Sequence, residues 1–356
     1  MRSAPTVTAP PVRPASAPAR LAARPARLAA TAAALALVLA SCSSTGGRAR
    51  EEAEQAAAAG RCAEPRGTVA VVSHGTQGDP FWDVVKKGAE AAGQRDCLRV
   101  TYQGSGDAAT QSQAIDNAVA QRVDGIVVSL ANPGGLADSV TAATAAGIPV
   151  VTINAGAQDS AGFGAMAHIG QDDREAGVAA GARLRDAGAT KALCVIHEAG
   201  HIGQEARCAG AEEGFGAPMT RLQVTVANLG EASSTIGTAL AADPTLDGVL
   251  TLNSAVAGAA AQALPAPAGG APADGAPVLG TFDLDADVVD LLTSGAVAFA
   301  VDQQPYLQGY LGVEFVALHM DNGAVVGGGQ PVRTGPAIVD ASTIETVAEF
   351  VRAGTR

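Results

Sequence analysis

The strongest constraint on the fold is the way short apolar segments alternate with helical patterns along the chain. Segments such as residues 125–130, 192–197 and 248–252 are largely apolar, and a helical pattern follows each of them. Runs of this kind are typical of buried parallel strands, and strand–helix repeats predict parallel sheets with helices on both faces. One compact sheet rarely holds this many strands, so we predict an α/β fold with two Rossmann-like lobes.

The first strand–helix unit carries an unusual aromatic pair. Residues 69–73 predict a strand, and Asp79 with Pro80 predicts the start of the next helix, since Asp caps helices and Pro suits the first helical position. Phe81 and Trp82, the only tryptophan in the chain, come next. Rings beside a carboxylate suit a polyhydroxylated ligand. The alternative is that both rings only pack the helix onto the sheet.

Polar side chains follow several other predicted strands. Each of them is a reasonable cap for the next helix, but the carboxyl ends of parallel strands are also where α/β proteins bind ligands. Their recurrence favours a shared cleft. The candidates at strand ends are Asn154, Asn253, Phe282, Asp283 and Gln303, with His74 and Gln113 as further candidates.

Charge argues against polyanionic partners. The chain has 356 residues and a formal net charge of −12, although residues 1–41 contain five arginines and no acidic residue. The remainder is therefore more acidic still, and nucleic-acid or anionic-membrane binding would need basic clusters. The sequence contains neither Gly-x-x-x-x-Gly-Lys-Ser/Thr nor Gly-x-Gly-x-x-Gly, so nucleotide binding through those loops is unsupported.

The N-terminus predicts export. An apolar run at residues 28–40 follows the arginine-rich start and is too short to span a bilayer, but it suits a signal peptide. Residues 39–42, Leu-Ala-Ser-Cys, resemble the lipobox of bacterial lipoproteins, which implies a signal peptide of residues 1–41 and lipidation at Cys42. An ordinary secretory signal is the alternative. Residues 42–66 are predicted to form a tether.

Four further cysteines suit an exported protein, where disulfides persist. Four cysteines allow three pairings. We favour Cys62–Cys97, because both precede neighbouring strands at one end of a sheet, and Cys194–Cys208, which would join a strand to the helix packed on it.

The segment His197-Glu198-Ala199-Gly200-His201 matches a zinc metalloprotease pattern. That pattern binds zinc only on a helix, where both histidines share one face, whereas His197 ends a predicted strand. An exported zinc enzyme using His197 and His201 is therefore a minor alternative. A structural metal held by Cys194, His197, His201 and Cys208 is a second one. No metal or cofactor is predicted.

Taken together, these segments resemble the type I periplasmic sugar-binding proteins, the ribose- and galactose-binding-like receptors of ABC importers. Residues 79–82 look like the family's Asn-Pro-Phe-Phe/Trp loop, residues 147–154 like its Ile-Pro-Val-Ile strand, and residues 168–172 like its first crossover. Arg207 stands where the family has a sugar-binding arginine. Asn253, Asp283 and Gln303 fall on further ligand positions. Asp79 replaces the commoner Asn, and the first loop is about two residues longer.

The resemblance implies two discontinuous lobes joined by a three-strand hinge. The first would contain residues 67–168 and 304–331, and the second residues 169–303 and 332–356. It also implies an extracytoplasmic, monomeric solute-binding lipoprotein on the outer face of the cytoplasmic membrane. Such a protein would deliver a monosaccharide or cyclic polyol to an ABC permease, without catalysis.

Two other proteins of the same fold are conceivable. A sugar-sensing receptor that feeds a membrane signalling protein would have the same sequence features. The effector domain of a LacI-type repressor is disfavoured by the lipobox and by the lack of a basic helix-turn-helix segment.

Overall fold

The structure, a computed structural model, describes residue 62 and residues 64–76, 79–265 and 275–356. The predicted signal peptide, Cys42 and most of the predicted tether lie outside these residues. The strands are β1 (Gly67–Ser73), β2 (Leu98–Gly104), β3 (Gly125–Ser129), β4 (Val150–Ile153), β5 (Ala167–Gly170), β6 (Ala192–Ile196), β7 (Thr220–Gln223), β8 (Gly248–Thr251), β9 (Val278–Phe282), β10 (Phe299–Asp302), β11 (Val332–Arg333) and β12 (Ala337–Val339).

Helices follow most of these strands, as expected for a strand–helix repeat. They are α1 (Pro80–Asp96), α2 (Ala108–Ala120), α3 (Pro133–Ala145), α4 (Ala157–Ser160), α5 (Asp173–Asp186), α6 (Ile202–Phe215), α7 (Leu229–Ala242), α8 (Ser254–Ala263), α9 (Ala286–Ser294), α10 (Pro305–Asn322) and α11 (Ala348–Arg352). None of the described helices is long and apolar enough to cross a membrane.

The strands form two six-stranded sheets, which confirms the predicted α/β class with two parallel sheets. The first has the order β11-β5-β4-β3-β1-β2, and the second has the order β12-β10-β9-β8-β6-β7. All neighbouring strands run parallel except β10 and β12. The chain passes between the sheets after β5, after β10 and after β11, so three segments connect the two lobes.

Two of the predicted lobe boundaries differ from the strand pairing in the structure. The predicted lobe boundary at residue 168 cuts β5, which lies wholly in the first sheet. β11 pairs with β5 and so also belongs to the first sheet, although residues 332–356 were assigned to the second lobe. Strands of two or three residues take their partners from the surrounding fold rather than from their own pattern.

The core lies on both faces of each sheet. Val69 and Val71 of β1 pack into one apolar cluster, and Ala70 and Val72 pack into the cluster on the opposite face. Successive side chains of a strand point to opposite faces, so a strand buried on both sides must be apolar throughout.

Two glycines allow helices α5 and α6 to touch along their backbones. A Cβ atom at Gly177 would lie 2.2 Å from the carbonyl oxygen of Arg207, and one at Gly181 would lie 2.0 Å from that of Ala211. Because both distances are far below van der Waals contact, only glycine fits there. This close packing fixes the position of α6, which carries Arg207.

The structure contains both of the favoured disulfides, Cys62–Cys97 and Cys194–Cys208. The second joins β6 to α6. The alternative of a structural metal held by Cys194 and Cys208 is therefore wrong, because both sulfur atoms are used in the disulfide.

Candidate binding cleft

A cavity with an empty volume of about 270 Å³ lies between the carboxyl ends of the two sheets. Nine residues predicted from the sequence line it together: His74, Asp79, Phe81, Trp82, Asn154, Arg207, Asn253, Asp283 and Gln303. Five lining residues were not predicted as ligand contacts: His197, Glu198, His201, Gln204 and Leu252. Both lobes contribute to the cavity because their strand ends face each other.

Two predicted residues lie elsewhere. Gln113 is on the exposed face of α2 and bonds Asn117, which corrects the expectation that it faces the cleft. Gln111, two residues earlier, is the buried glutamine of this helix and donates to the carbonyl oxygen of Ser129. Phe282 is buried beneath the cavity, with its ring 4.8 Å from the guanidinium carbon of Arg207. It supports a lining residue rather than lining the cavity itself.

The first loop presents a buried carboxylate and an aromatic wall. Asp79 caps α1 by accepting from the backbone N–H of Phe81, and Asn253 of the other lobe donates to the same Oδ1 atom at 3.1 Å. Burial raises the pKa of Asp79 to about 6. Phe81 and Trp82 are only 6% and 5% exposed, so these rings belong to the core and also line the cavity. The packing role of the aromatic pair is therefore observed, and its contact with a solute stays a prediction.

The segment after β9 presents a second carboxylate. Asp283 has a φ of 69°, and Asn154 after β4 has a φ of 66°. Residues other than glycine seldom adopt this left-handed backbone conformation. Gln303 links them, donating to Asp283 at 2.6 Å and accepting from Asn154 at 3.1 Å. Burial raises the pKa of Asp283 to about 7, although the charge of Arg207 opposes the shift. Strained residues clustered in this way are typical of functional sites.

Among the residues that the structure describes, Arg207 is the only arginine that lines the cavity. Its Nε donates to Asp173 at 2.8 Å, and its Nη2 lies 3.4 Å from the side-chain oxygen of Gln303. Because Asp173 already pairs with the guanidinium, no cation in the described part of the chain is left to pair with the cavity carboxylates of Asp79, Glu198 and Asp283. Burial without a paired cation explains why all three have raised pKa values.

The loop between β6 and α6 contributes His197 and Glu198. The side-chain oxygen of Gln204 accepts from the backbone N–H groups of both residues, so its amide nitrogen donates to Nε2 of His197 at 3.1 Å. His197 therefore carries its proton on Nδ1, which is buried without a partner among the described residues. Glu198 has no side-chain hydrogen bond there either, and burial raises its pKa to about 8. Both groups are free to bind a solute.

A pair of histidines joins the lobes. His201 caps α6, with its Nδ1 accepting from the backbone N–H groups of Gly203 and Gln204, so its proton is on Nε2. That proton is donated to Nε2 of His74 at 3.1 Å, and the Nδ1 proton of His74 is donated in turn to Ser129. Burial lowers the pKa of His74 to about 3 and that of His201 well below its usual value, so both rings are neutral.

The geometry does not favour a metal at this point. Single ligand atoms of His74, Glu198 and His201 lie within 4.8 Å of one another, and so do those of Asp79, His197 and Glu198. A neutral histidine that binds a metal through Nε2 must carry a proton on Nδ1. At His201 that proton would displace two backbone donors and uncap the helix. The zinc-enzyme motif also lies in a loop, because β6 ends at Ile196 and α6 begins at Ile202.

The sequence and fold are similar to those of known binding proteins. Residues 69–324 match the periplasmic binding protein domain family. A carbohydrate transporter from Acidothermus cellulolyticus 11B in complex with myo-inositol is 38% identical, with a TM-score of 0.77 over 82% of this chain and 100% of that chain. An ABC transporter solute binding protein from Agrobacterium vitis with bound D-fucose is 25% identical, with a TM-score of 0.69 over 80% and 100%.

A periplasmic sugar binding protein from Legionella pneumophila shares the fold at 23% identity, with a TM-score of 0.68 over 76% of this chain and 100% of that chain. Among curated proteins, none is significantly similar in sequence.

Proposed function

This chain belongs to the periplasmic binding protein domain family, and we propose that it captures a monosaccharide or cyclic polyol between its lobes and delivers it to an ABC importer. The family and the similar structures are solute-binding proteins rather than enzymes, so the chain binds its solute without changing it.

The observation that carries the proposal is the chemistry of the cavity. Planar acceptor and donor groups from both lobes surround it, including Asp79, Asn154, Asn253 and Asp283, with Trp82 at one side. Carboxylates and amides make paired hydrogen bonds to neighbouring hydroxyls, while an aromatic face covers the carbon skeleton of a ring. Contacts from both lobes mean that a bound solute favours the closed arrangement.

Myo-inositol is the first solute to test, since the structure with 38% identity contains it. A thermal-shift screen of the mature protein should include myo-inositol, D-fucose, D-arabinose, D-allose, D-ribose, D-galactose and D-glucose. A solute at a hundred times its dissociation constant should stabilise the fold by about 2.7 kcal/mol. If no single-ring polyol raises the unfolding temperature, the proposal is wrong.

The location follows from the leader and the cysteines. We propose that the protein is extracytoplasmic and held at the outer face of the cytoplasmic membrane by a lipid on Cys42, with residues 43–66 as its tether. Two disulfides support an oxidising compartment. The partners would be the solute and an ABC permease, and the protein would act as a monomer.

A further inference from the structure

Two cavities meet at one wall inside the cleft. Beside the inner cavity lies an outer groove with an empty volume of about 1240 Å³, and His74, Glu198 and His201 line both spaces. His74 follows β1, which is three strands away from the β5 crossover in the first sheet. The wall therefore stands on the side of the cleft away from that connection.

The wall is held firmly from both lobes. The hydrogen bonds run in one direction, from His201 through His74 to Ser129, so neither imidazole can turn without losing a buried bond. Beside them the backbone N–H of Ile202 donates across the cleft to the carbonyl oxygen of Ala131 at 3.1 Å. The rings of His74 and Trp82 also pack in a T-shaped arrangement, with centroids 4.6 Å apart.

The wall limits the space for a solute. The inner cavity has an empty volume of about 270 Å³ and the groove one of about 1240 Å³, so the inner side of the wall is by far the more confined of the two spaces. The groove beyond it is lined by polar groups such as Asp107, Gln111 and Asn132, which suit further hydroxyls. A second ring linked to the first would therefore find polar surroundings, but only by taking the place of the histidine pair.

We propose that the hydrogen-bonded pair His74–His201 determines specificity by confining the solute to a single ring and excluding its glycosides. This rests on the proposed function, because it concerns the size of the solute in the same cleft. His201 is a better residue to change than His74, because serine at position 201 removes one ring of the pair and can still cap the helix.

The test compares wild type with His201→Ser, using calorimetric titration of four matched pairs of compounds. The pairs are myo-inositol with galactinol, D-glucose with maltose, D-galactose with melibiose, and D-xylose with xylobiose. His201→Asn, which also keeps a helix cap, is measured beside it in case serine prevents folding. His319→Ser is the control, because His319 lines neither cavity.

In wild type and in His319→Ser, we expect a single-ring compound to bind at least a hundredfold more tightly than its two-ring partner. In His201→Ser we expect the two-ring compound to bind within tenfold of the single ring. A wild-type protein that binds both sizes alike overturns the inference but leaves the proposed function intact. A folded His201 variant that still rejects every two-ring compound also overturns it. If wild type binds none of the eight compounds and none of the single-ring compounds of the thermal-shift screen, the proposed function itself fails.

Discussion

Asp283 is the residue whose surroundings most clearly fit a solute-binding role. It is 5% exposed, accepts a hydrogen bond from Gln303 and has no cation of its own, since Arg207 pairs with Asp173. A buried carboxylate without a paired cation is unfavourable, so hydrogen bonds donated by solute hydroxyls should stabilise it strongly.

Replacing Asp283 with Asn should weaken solute binding by about tenfold or more, because a charge-assisted hydrogen bond becomes a neutral one. Stability of the unliganded protein should be unchanged or higher, since Asn tolerates the left-handed backbone and removes a buried charge. Calorimetry and thermal unfolding measure the two effects. The exposed Asp287→Asn on the next helix is the control. Wild-type affinity in Asp283→Asn would place the solute elsewhere.

Glu198 should make the stability of the unliganded protein fall as the pH rises from about 6.5 to 8. Its pKa is raised to about 8 by burial, so the folded protein holds a proton that the unfolded chain has already lost. Asp283, with a pKa near 7, acts in the same direction. The buried histidines His74 and His197 have lowered pKa values, so they reduce stability only as the pH falls below about 6.5, where the unfolded chain binds protons that the folded protein does not.

The measurement is the unfolding temperature of wild type, Glu198→Gln and the exposed-site control Glu345→Gln at several pH values between 6.5 and 8.5. Glu198→Gln should flatten the decline, and Glu345→Gln should follow wild type. An identical decline in Glu198→Gln would show that this carboxyl is not the group that titrates.

Among the secondary-structure elements, the pair α5–α6 does most to position the site. Glycines on α5 allow the backbones to touch, and the disulfide from β6 ties α6 to the sheet. Helix α6 then carries His201 at its start and Arg207 six residues further on. Displacement of α6 would move both side chains relative to the opposite lobe.

Gly181→Ala should destabilise the protein by about 1–3 kcal/mol, because its Cβ would overlap the carbonyl oxygen of Ala211. It should also weaken solute binding, since the helices must separate. The control is Gly258→Ala in α8, where a Cβ has nothing within 4 Å; Ala there should be neutral or stabilising by up to about 1 kcal/mol. Denaturant unfolding compares the two. Equal stabilities would contradict the proposed close contact.

At the scale of the whole molecule, the sequence predicted the architecture and most of the cavity because both depend on strand ends. Parallel strands bring their carboxyl ends to one edge, so Asn154, Asn253 and Asp283 could be placed together without coordinates. Gln113 was misplaced because α2 consists mostly of alanine and small polar residues, which do not reveal which face is buried. Glu198 was missed because periodicity carries no information about side-chain direction in a loop.

Membrane attachment depends on Cys42, which lies outside the residues that the structure describes. Cys42→Ala should release the protein from membranes in a fractionation experiment, because a single cysteine is proposed to carry the anchor. Cys62→Ala is a control that keeps Cys42 and should stay attached. A cleaved Cys42→Ala protein that remains in the membrane fraction would contradict lipid anchoring at this residue.

The central claim, that a single-ring polyol binds between the lobes, can be tested most directly through Trp82. It is the only tryptophan in the sequence and lines the cavity, so all tryptophan fluorescence reports on the proposed site. Titration with myo-inositol and the other single-ring compounds should give, for at least one of them, a saturable change in emission that fits one site. If calorimetry shows tight binding of a solute while the Trp82 emission stays constant, or if no compound binds, the account of this cleft is contradicted.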